Sequence, residues 1–393
     1  MITVAFLVQR IGPYHHARLR AWAALRMQAI QVVEFRPGDA VYAWAPMRDD
    51  GSYGRSQVNT GEELHQRLES LQPQVVVCVG YADREISQAM TWALERHIPL
   101  VTCSDSTFSD EPRSWLKERL KRRMVAAFAS ALVAGSRARD YMTGLGLEAQ
   151  RQFQPWDVVD NAYFANGAER SRSDAVALRA GLNLPRRYFL CVARFVPKKN
   201  LLHLLKAYAR YVSRAGADAW SLVLSGSGPQ EAELRDSVVT SGLAALVHFP
   251  GFVQYPDLPT YYGLASGFVL PSVSDQWGLV VNEAMAAGLP VLVSAHCGCS
   301  SDLVCEGENG FVFAPEVVGA LAACMERIAA LPVAQLTAMG RRSREIVAAF
   351  SPVAFASGLN AAVSCALAGR GERRPWLTRL LVASLARRTP PRS

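Results

Sequence analysis

Apolar runs of four to seven residues alternate along this chain with longer stretches whose apolar positions recur every three or four residues. In the first half the short runs are "ITVAFLV", "QVVEF", "VVVCVG", "PLVTC" and "ALVAG", separated by "YHHARLRAWAAL", "EELHQRLESL" and "SQAMTWALERH". The second half repeats the rhythm with "YFLCVAR", "WSLVLSG", "VHFPG", "GFVLPS" and "PVLVS", spaced by "NLLHLLKAYARYV", "EAELRDSVVTSG" and "GLVVNEAMAAG". Continuous apolar runs of that length suit parallel strands covered on both faces, and the alternation predicts βαβ units. Two such arrays predict an α/β chain of two Rossmann-like, doubly wound domains.

The length agrees. A chain of 393 residues exceeds what one core usually organises, and domains of about 150–200 residues are expected. The pattern places an N-terminal domain at 1–165 and a second domain at 166–350, with the break in the polar stretch around Ala165 to Ser173. A sparsely charged helix at 351–370 is expected to cross between the domains, followed by a basic amphipathic tail at 371–393. In doubly wound sheets ligands bind beyond the carboxyl ends of the strands, so a cleft between the domains is the expected site.

Composition narrows the class. Half the residues are hydrophobic and 19% are charged, which describes a globular protein rather than a disordered one. The opening "MITVAFLVQR" reads as a buried strand and not as a signal peptide. No uninterrupted apolar run approaches the roughly 18 residues of a spanning helix. The eight cysteines lie mostly in strand-like segments, the pattern of buried free thiols in a reducing compartment. A location in the cytosol or on the cytoplasmic face of a membrane follows as an expectation.

The net charge of +8 is concentrated in two places. Residues 370–393 hold seven arginines and one glutamate, and "RSWLKERLKRR" at 113–123 holds six basic residues and one acid. The rest of the chain is slightly acidic, and with no recognition motif present a nucleic-acid partner is not expected.

Three strand-end segments of the second half suit a phosphorylated ligand. In "VARFVPKKN", Arg194 and Lys199 follow a strand and Asn200 opens a helix. Such cations can hold a diphosphate through charge-assisted hydrogen bonds of about 1.5–3 kcal/mol each; a solvated basic loop is the alternative. In "LVLSGSGPQ", Gly226 and Gly228 allow close backbone approach, or simply a tight turn. Glu231 stands where a dinucleotide fingerprint needs its third glycine, so NAD is not indicated. In "SDQWGLVVNEAMAAGLPVLVS", Asp275 and Glu283 sit eight positions apart around a helix start. Free N–H groups there favour phosphate, and a carboxylate can grip vicinal ribose hydroxyls. Otherwise the two acids are ordinary caps and decoration.

Taken together, "ARFVPKKN", "SGSGP", "FPGFV", "DQWGLVVNEAMAAGLPVLVS" and "GENGFVF" resemble, in content and order, the retaining glycosyltransferases of family four, which have the GT-B fold of two Rossmann-like domains facing across a cleft. The resemblance implies transfer of a sugar from a nucleoside-diphosphate sugar with retained anomeric configuration. It implies that Arg194 and Lys199 stabilise the leaving diphosphate, that Glu283 holds the ribose and that Asp275 contacts the donor sugar. Gly251, Phe252 and Val253 would flank the base, Gly226 and Gly228 would line the donor, and Gly278, Leu279 and Val280 would lie near the phosphates. The first acid is Asp275 where the family often has glutamate. The histidine that several members carry after the strand matched by "PLVTCSDS" is replaced by Ser104 or Asp105. Retention in that family is thought to use the departing phosphate as base, so the protein supplies electrostatics. With no Asp-x-Asp motif, no obligatory metal or other cofactor is expected beyond the nucleotide-sugar co-substrate.

The loop "QRIGPYHHARLRA" completes the candidate set. Gly12 permits approach to the donor diphosphate, while Tyr14, His15, His16 and Arg18, with Asp105, are acceptor-side candidates. The Cys-x-Cys in "HCGC", with Cys305, lacks the usual zinc spacing. In the tail, Trp376, Leu377, Leu380, Leu381 and Leu385 fall near one helical face among arginines, as in an interfacial helix. With the 113–123 patch this suggests peripheral membrane contact and a glycan or lipid-linked acceptor in polysaccharide biosynthesis. Two other readings share the fold: a nucleotide-sugar 2-epimerase, and a non-catalytic subunit of a glycan-assembly complex.

Overall fold

The computed structural model describes residues 2–35, 49–369 and 376–386. The chain divides into two compact units, residues 1–158 with 352–393, and residues 159–351. The first therefore ends seven residues before the boundary expected from the sequence, and it reclaims the C-terminal helices.

In the first unit the strands are β1 (Ile2–Val8), β2 (Gln28–Glu34), β3 (Gly54–Gln57), β4 (Val75–Val79), β5 (Leu100–Ser104), β6 (Ser130–Val133) and β7 (Gln152–Phe153). They pair in parallel in the order β3-β2-β1-β4-β5-β6-β7. Every residue of β5 and β6 is buried, as a sheet covered on both faces requires. Strand β3, "GRSQ", carries no apolar signal and is absent from the hydrophobic pattern. Its Arg55 Nε donates to Glu34 Oε1 at 2.5 Å, and Glu34 is fully buried at the end of β2. That ion pair adds to the parallel backbone pairing with β2, from Gln31 opposite Gly54 to Glu34 opposite Gln57, that holds the edge strand.

The second unit holds β8 (Tyr188–Val192), β9 (Ser221–Ser225), β10 (Val247–Gly251), β11 (Gly267–Leu270), β12 (Val291–Ser294) and β13 (Gly310–Phe313). Their order is β10-β9-β8-β11-β12-β13, again all parallel. The core on one face centres on Phe189, Tyr208, Tyr211, Trp220 and Leu224. In each sheet the winding reverses once, between β1 and β4 and between β8 and β11. In this class of sheet ligands bind beyond the carboxyl ends of the strands at such a reversal.

Two expectations about the C-terminal region change. Helix Pro352–Ala368, expected to span both domains, belongs to the first unit. It buries Phe355, Leu359 and Val363 and its Ala362 carbonyl accepts from Ser130 Oγ at 2.7 Å. The stretch Val333–Ala368 is long and apolar enough to cross a membrane by length and composition, contrary to the reading of the bare sequence. Burial of those side chains against the first sheet accounts for the apolar character of its second half. Helix Trp376–Ala386 likewise packs on helix Arg84–Glu95, with Val382 fully buried and Leu381 and Leu385 partly buried in the same core. Leu381 and Leu385 therefore face protein, not lipid, whereas Leu380 is exposed. Of the tail as read from the sequence, residues 371–375 and 387–393 lie outside the described residues.

Candidate active site

The loops of the second unit converge at the β8/β11 switch. After β8 the chain turns through Arg194 and a short 3-10 turn, Pro197–Lys199, into Asn200, whose φ of 57° is left-handed. Asn200 tolerates that conformation and its Nδ2 donates to the Pro271 and Pro315 carbonyls at 3.2 and 3.0 Å. Val273 N–H donates to the Lys198 carbonyl at 2.9 Å. These bonds tie the β8 and β11 loops together, and across the seam Lys199 Nζ meets Asp275 Oδ2 at 2.5 Å. Ser272 Oγ donates to the same oxygen at 3.3 Å. Both side chains of the pair are about 15% exposed, so a ligand can reach them. Arg194 is exposed.

Beyond Asp275 the segment is built backbone on backbone. Gly298 N–H donates to the Asp275 carbonyl and Cys299 N–H to the Trp277 carbonyl, at 2.9 and 3.1 Å. A Cβ on Gly298 would lie 1.7 Å from the Gln276 carbonyl oxygen. Trp277 is buried against Phe350 and donates from Nε1 to Asn282 at 2.9 Å. Helix Leu279–Ala286 then starts at Gly278, with no side chain capping it. Its first-turn N–H groups, with half-buried Leu279 and Val280, present a partial positive charge. One turn on, Glu283 is fully buried, and Tyr262 Oη donates to its Oε2 at 2.6 Å.

The glycines of "SGSGP" have a structural cause. A Cβ at Gly226 would sit 1.8 Å from the Ala193 carbonyl oxygen, and one at Gly228 2.6 Å from that of Phe195. Both are needed so that the β9 loop can lie against the β8 loop. Gly251 (φ 80°) meets nothing within 4 Å; Val253 is buried and Phe252 exposed.

In the first unit the loop after β1 is held by Ile11 N–H donating to Glu34 Oε2 at 2.9 Å. Gly12 precedes helix Pro13–Ala24 and has open space where a side chain would be. His15 and Tyr14 are half-buried. Burial, and then the charge of Arg18, lowers the His15 pKa to about 3, so its ring is neutral. His16 lies between Tyr53 Oη (3.0 Å) and Asp50 (3.3 Å). Arg18 is 2% exposed. Its guanidinium donates to Asp157 Oδ1 at 3.1 Å and to the Val158 carbonyl at 3.0 Å, and lies over the Trp156 ring. Near it, desolvation and then Asp157 push Asp105 up to about 7.

Comparison with known proteins identifies the second unit. Residues 178–346 match the family model "Glycosyl transferases group 1". Those residues form a group 1 glycosyltransferase domain. A glycosyltransferase of Methanocaldococcus jannaschii is 32% identical over 174 residues, 44% of this chain and 42% of that protein. The 2-deoxystreptamine glucosyltransferase of Streptomyces kanamyceticus is 30% identical over 206 residues, 52% of each. The chain thus spans about half the length of the curated relatives it matches. The crystal structure of Anabaena HepE in complex with UDP superposes over 92% of this chain and all of that one, with a TM-score of 0.73 at 16% identity. The fold is accordingly GT-B.

Within the glycosyltransferase domain, Arg194, Lys199, Gly226, Gly228, Gly251 and Asp275 lie at or after carboxyl ends of strands, and Glu283 lies in the helix that follows β11. Three residues of evident importance escaped sequence reasoning. Tyr262 holds Glu283, Ser272 shares Asp275, and Asp157 neutralises Arg18. None belongs to a motif; a tyrosine in "PTYYGL" reads as core and is mostly that. Arg18, expected to meet an acceptor, is committed to protein groups and braces the loop instead. Among the described residues no three His, Cys, Asp or Glu side chains form a group able to hold a metal ion. Cys297 and Cys299 are buried cysteines that form no disulfide.

Proposed function

We propose that the protein transfers a sugar from a nucleoside-diphosphate sugar to a hydroxyl acceptor with retention of anomeric configuration. The observation that carries it is the Lys199–Asp275 pair at the β8/β11 switch, beside an uncapped helix N-terminus. A diphosphate seated at that terminus draws Lys199 and Arg194 onto its oxygens and frees Asp275 for the sugar hydroxyls. Developing negative charge on the leaving phosphate then meets two cations and a helix dipole already in place, the form of stabilisation worth most in transfer reactions. Glu283 is buried under a tyrosine, and Asp275, once Lys199 turns to the diphosphate, is taken up by the sugar hydroxyls, so neither is left to act as a protein nucleophile or base. That favours a front-side reaction in which the departing phosphate takes the acceptor proton, with no obligatory metal. Glu283 serves the ribose, and UDP is the first nucleotide to try, since HepE binds it. Acceptor contacts fall to Tyr14, His15, His16 and Asp105. A glycan or lipid-linked acceptor in polysaccharide assembly, on the cytoplasmic side of a membrane, completes the proposal.

The test follows nucleoside diphosphate released from UDP-, GDP- and dTDP-sugars, with Lys199→Ala and Glu283→Ala as controls. Turnover of one donor class that both substitutions abolish supports the site. Nucleotide binding untouched by either substitution overturns it, and epimerised donor without released diphosphate replaces it with the epimerase reading.

A further inference from the structure

The first unit carries a surface that the donor chemistry does not use. Helix Trp115–Val125 follows β5 and so begins at the carboxyl edge of the sheet, on the side of His15 and Asp105. Its Trp115, Leu116 and Leu120 are 75%, 54% and 40% exposed. Positions 115, 119 and 122, and 116, 120 and 123, form adjacent stripes one helical turn apart, so Arg119, Arg122 and Arg123 stand among the apolar side chains.

The charges divide sharply. Asp110, Glu111 and Glu118 are engaged by Arg113 and Lys121, and Tyr141 Oη also donates to Glu118. Arg113 and Lys121 are thus spent on the three local acids. Lys117, Arg119, Arg122 and Arg123 form no ion pair or side-chain hydrogen bond among the described residues. What remains outward is cationic and apolar at once. An exposed tryptophan costs hydration unless something covers it.

We propose that this helix face docks on an anionic lipid bilayer. Trp115, Leu116 and Leu120 enter the headgroup boundary, and Arg119, Arg122 and Arg123 beside them meet lipid phosphates, a combination that matches interfacial helices. Of the two patches the sequence suggested, at 113–123 and in the tail, the first carries the exposed apolar and cationic face. In helix Trp376–Ala386 Val382 is buried and Leu381 and Leu385 are partly buried in the first unit's core, whereas all three apolar side chains of the Trp115–Val125 face are exposed. A docked bilayer lies at the sheet edge that carries the acceptor-side candidates, which suits a lipid-borne acceptor. The surface itself is independent of the donor assignment.

The experiment is co-sedimentation of the full chain with phosphatidylcholine vesicles containing or lacking phosphatidylglycerol, at low and high salt. The variants are Arg119→Glu/Arg122→Glu and Trp115→Ser/Leu116→Ser, with Lys206→Glu/Arg210→Glu on the other unit as control and thermal unfolding to check that each folds. The expected result is binding to the anionic vesicles only, weakened by salt. The arginine variant should lose more than about tenfold, roughly fivefold per cation removed before counting the added acids. The tryptophan variant should also lose binding, and the control should keep it. Three results overturn the proposal: no binding of the unaltered chain to anionic vesicles, equal binding by either helix variant, or a concentration-dependent dimer that Trp115→Ser/Leu116→Ser dissolves, which would assign the face to a second copy.

Discussion

Replacing Tyr262 by Phe removes one oxygen from the interior of the glycosyltransferase domain and leaves the ring in place. The ring packs against Phe164 and Phe268, each with centroids 5.8 Å away, and phenylalanine keeps both contacts. What is lost is a 2.6 Å hydrogen bond to Oε2 of a carboxylate with no solvent exposure. A hydrogen bond to a charged group contributes about 1.5–3 kcal/mol, and the buried acceptor cannot recruit water in its stead. For a unit of this size each kcal/mol moves the midpoint by about 2–4 °C, so the expected fall is roughly 3–12 °C. Calorimetry resolves it, because the transition that shifts with added nucleotide reports the donor-binding unit. In the proposed reaction the same substitution raises the donor KM more than it lowers kcat, since Glu283 loses its aim. A loss below about 0.5 kcal/mol, within the range of ordinary surface substitutions, would refute the Tyr262–Glu283 contact and with it the explanation for a buried acid in that helix.

Four further expectations separate structure from catalysis. Lys199→Ala should cut diphosphate release by about 10²–10³ while shifting the midpoint little, because removing one preorganised charge acts on the transition state. Gly226→Ala should cost at least ~2 kcal/mol in denaturant unfolding, the added methyl being driven into the Ala193 carbonyl. Asp157→Ala strands a buried guanidinium and should cost about 3–5 kcal/mol, whereas Arg18→Met/Asp157→Leu should recover most of it. The fourth expectation concerns pH. Folded Asp105 keeps its proton up to about pH 7, while in the unfolded chain it ionises near 3.8. The folded state therefore binds more protons in that window, so stability through this group falls as pH rises from about 4 to 7. Asp105→Asn should flatten that slope in unfolding curves, and an unchanged slope would mean that folding leaves the Asp105 carboxyl unperturbed.

The sequence by itself determined the class of fold, the succession of the main strands along the chain and the loops that carry glycines and charges at the strand ends. Buried parallel strands must be apolar runs, and switch-point loops must carry glycines and charged groups at the strand ends, so both are written locally. Strand Gly54–Gln57 was not legible, because Arg55 pairs with a glutamate 21 positions away. The amphipathic tail was legible as a helix but not in its partner: an apolar stripe fits a bilayer and a protein core equally well, and only packing on helix Arg84–Glu95 chose between them. Gly226 and Gly228 announced close approach without saying to what, and the answer is the neighbouring loop's backbone. The pairings Lys199–Asp275, Tyr262–Glu283 and Arg18–Asp157 join residues 76, 21 and 139 positions apart. Periodicity reports what each residue does to its own element. Which charge meets which, and which arginine is left for a ligand, is decided only when the folded chain brings distant loops to one edge of a sheet.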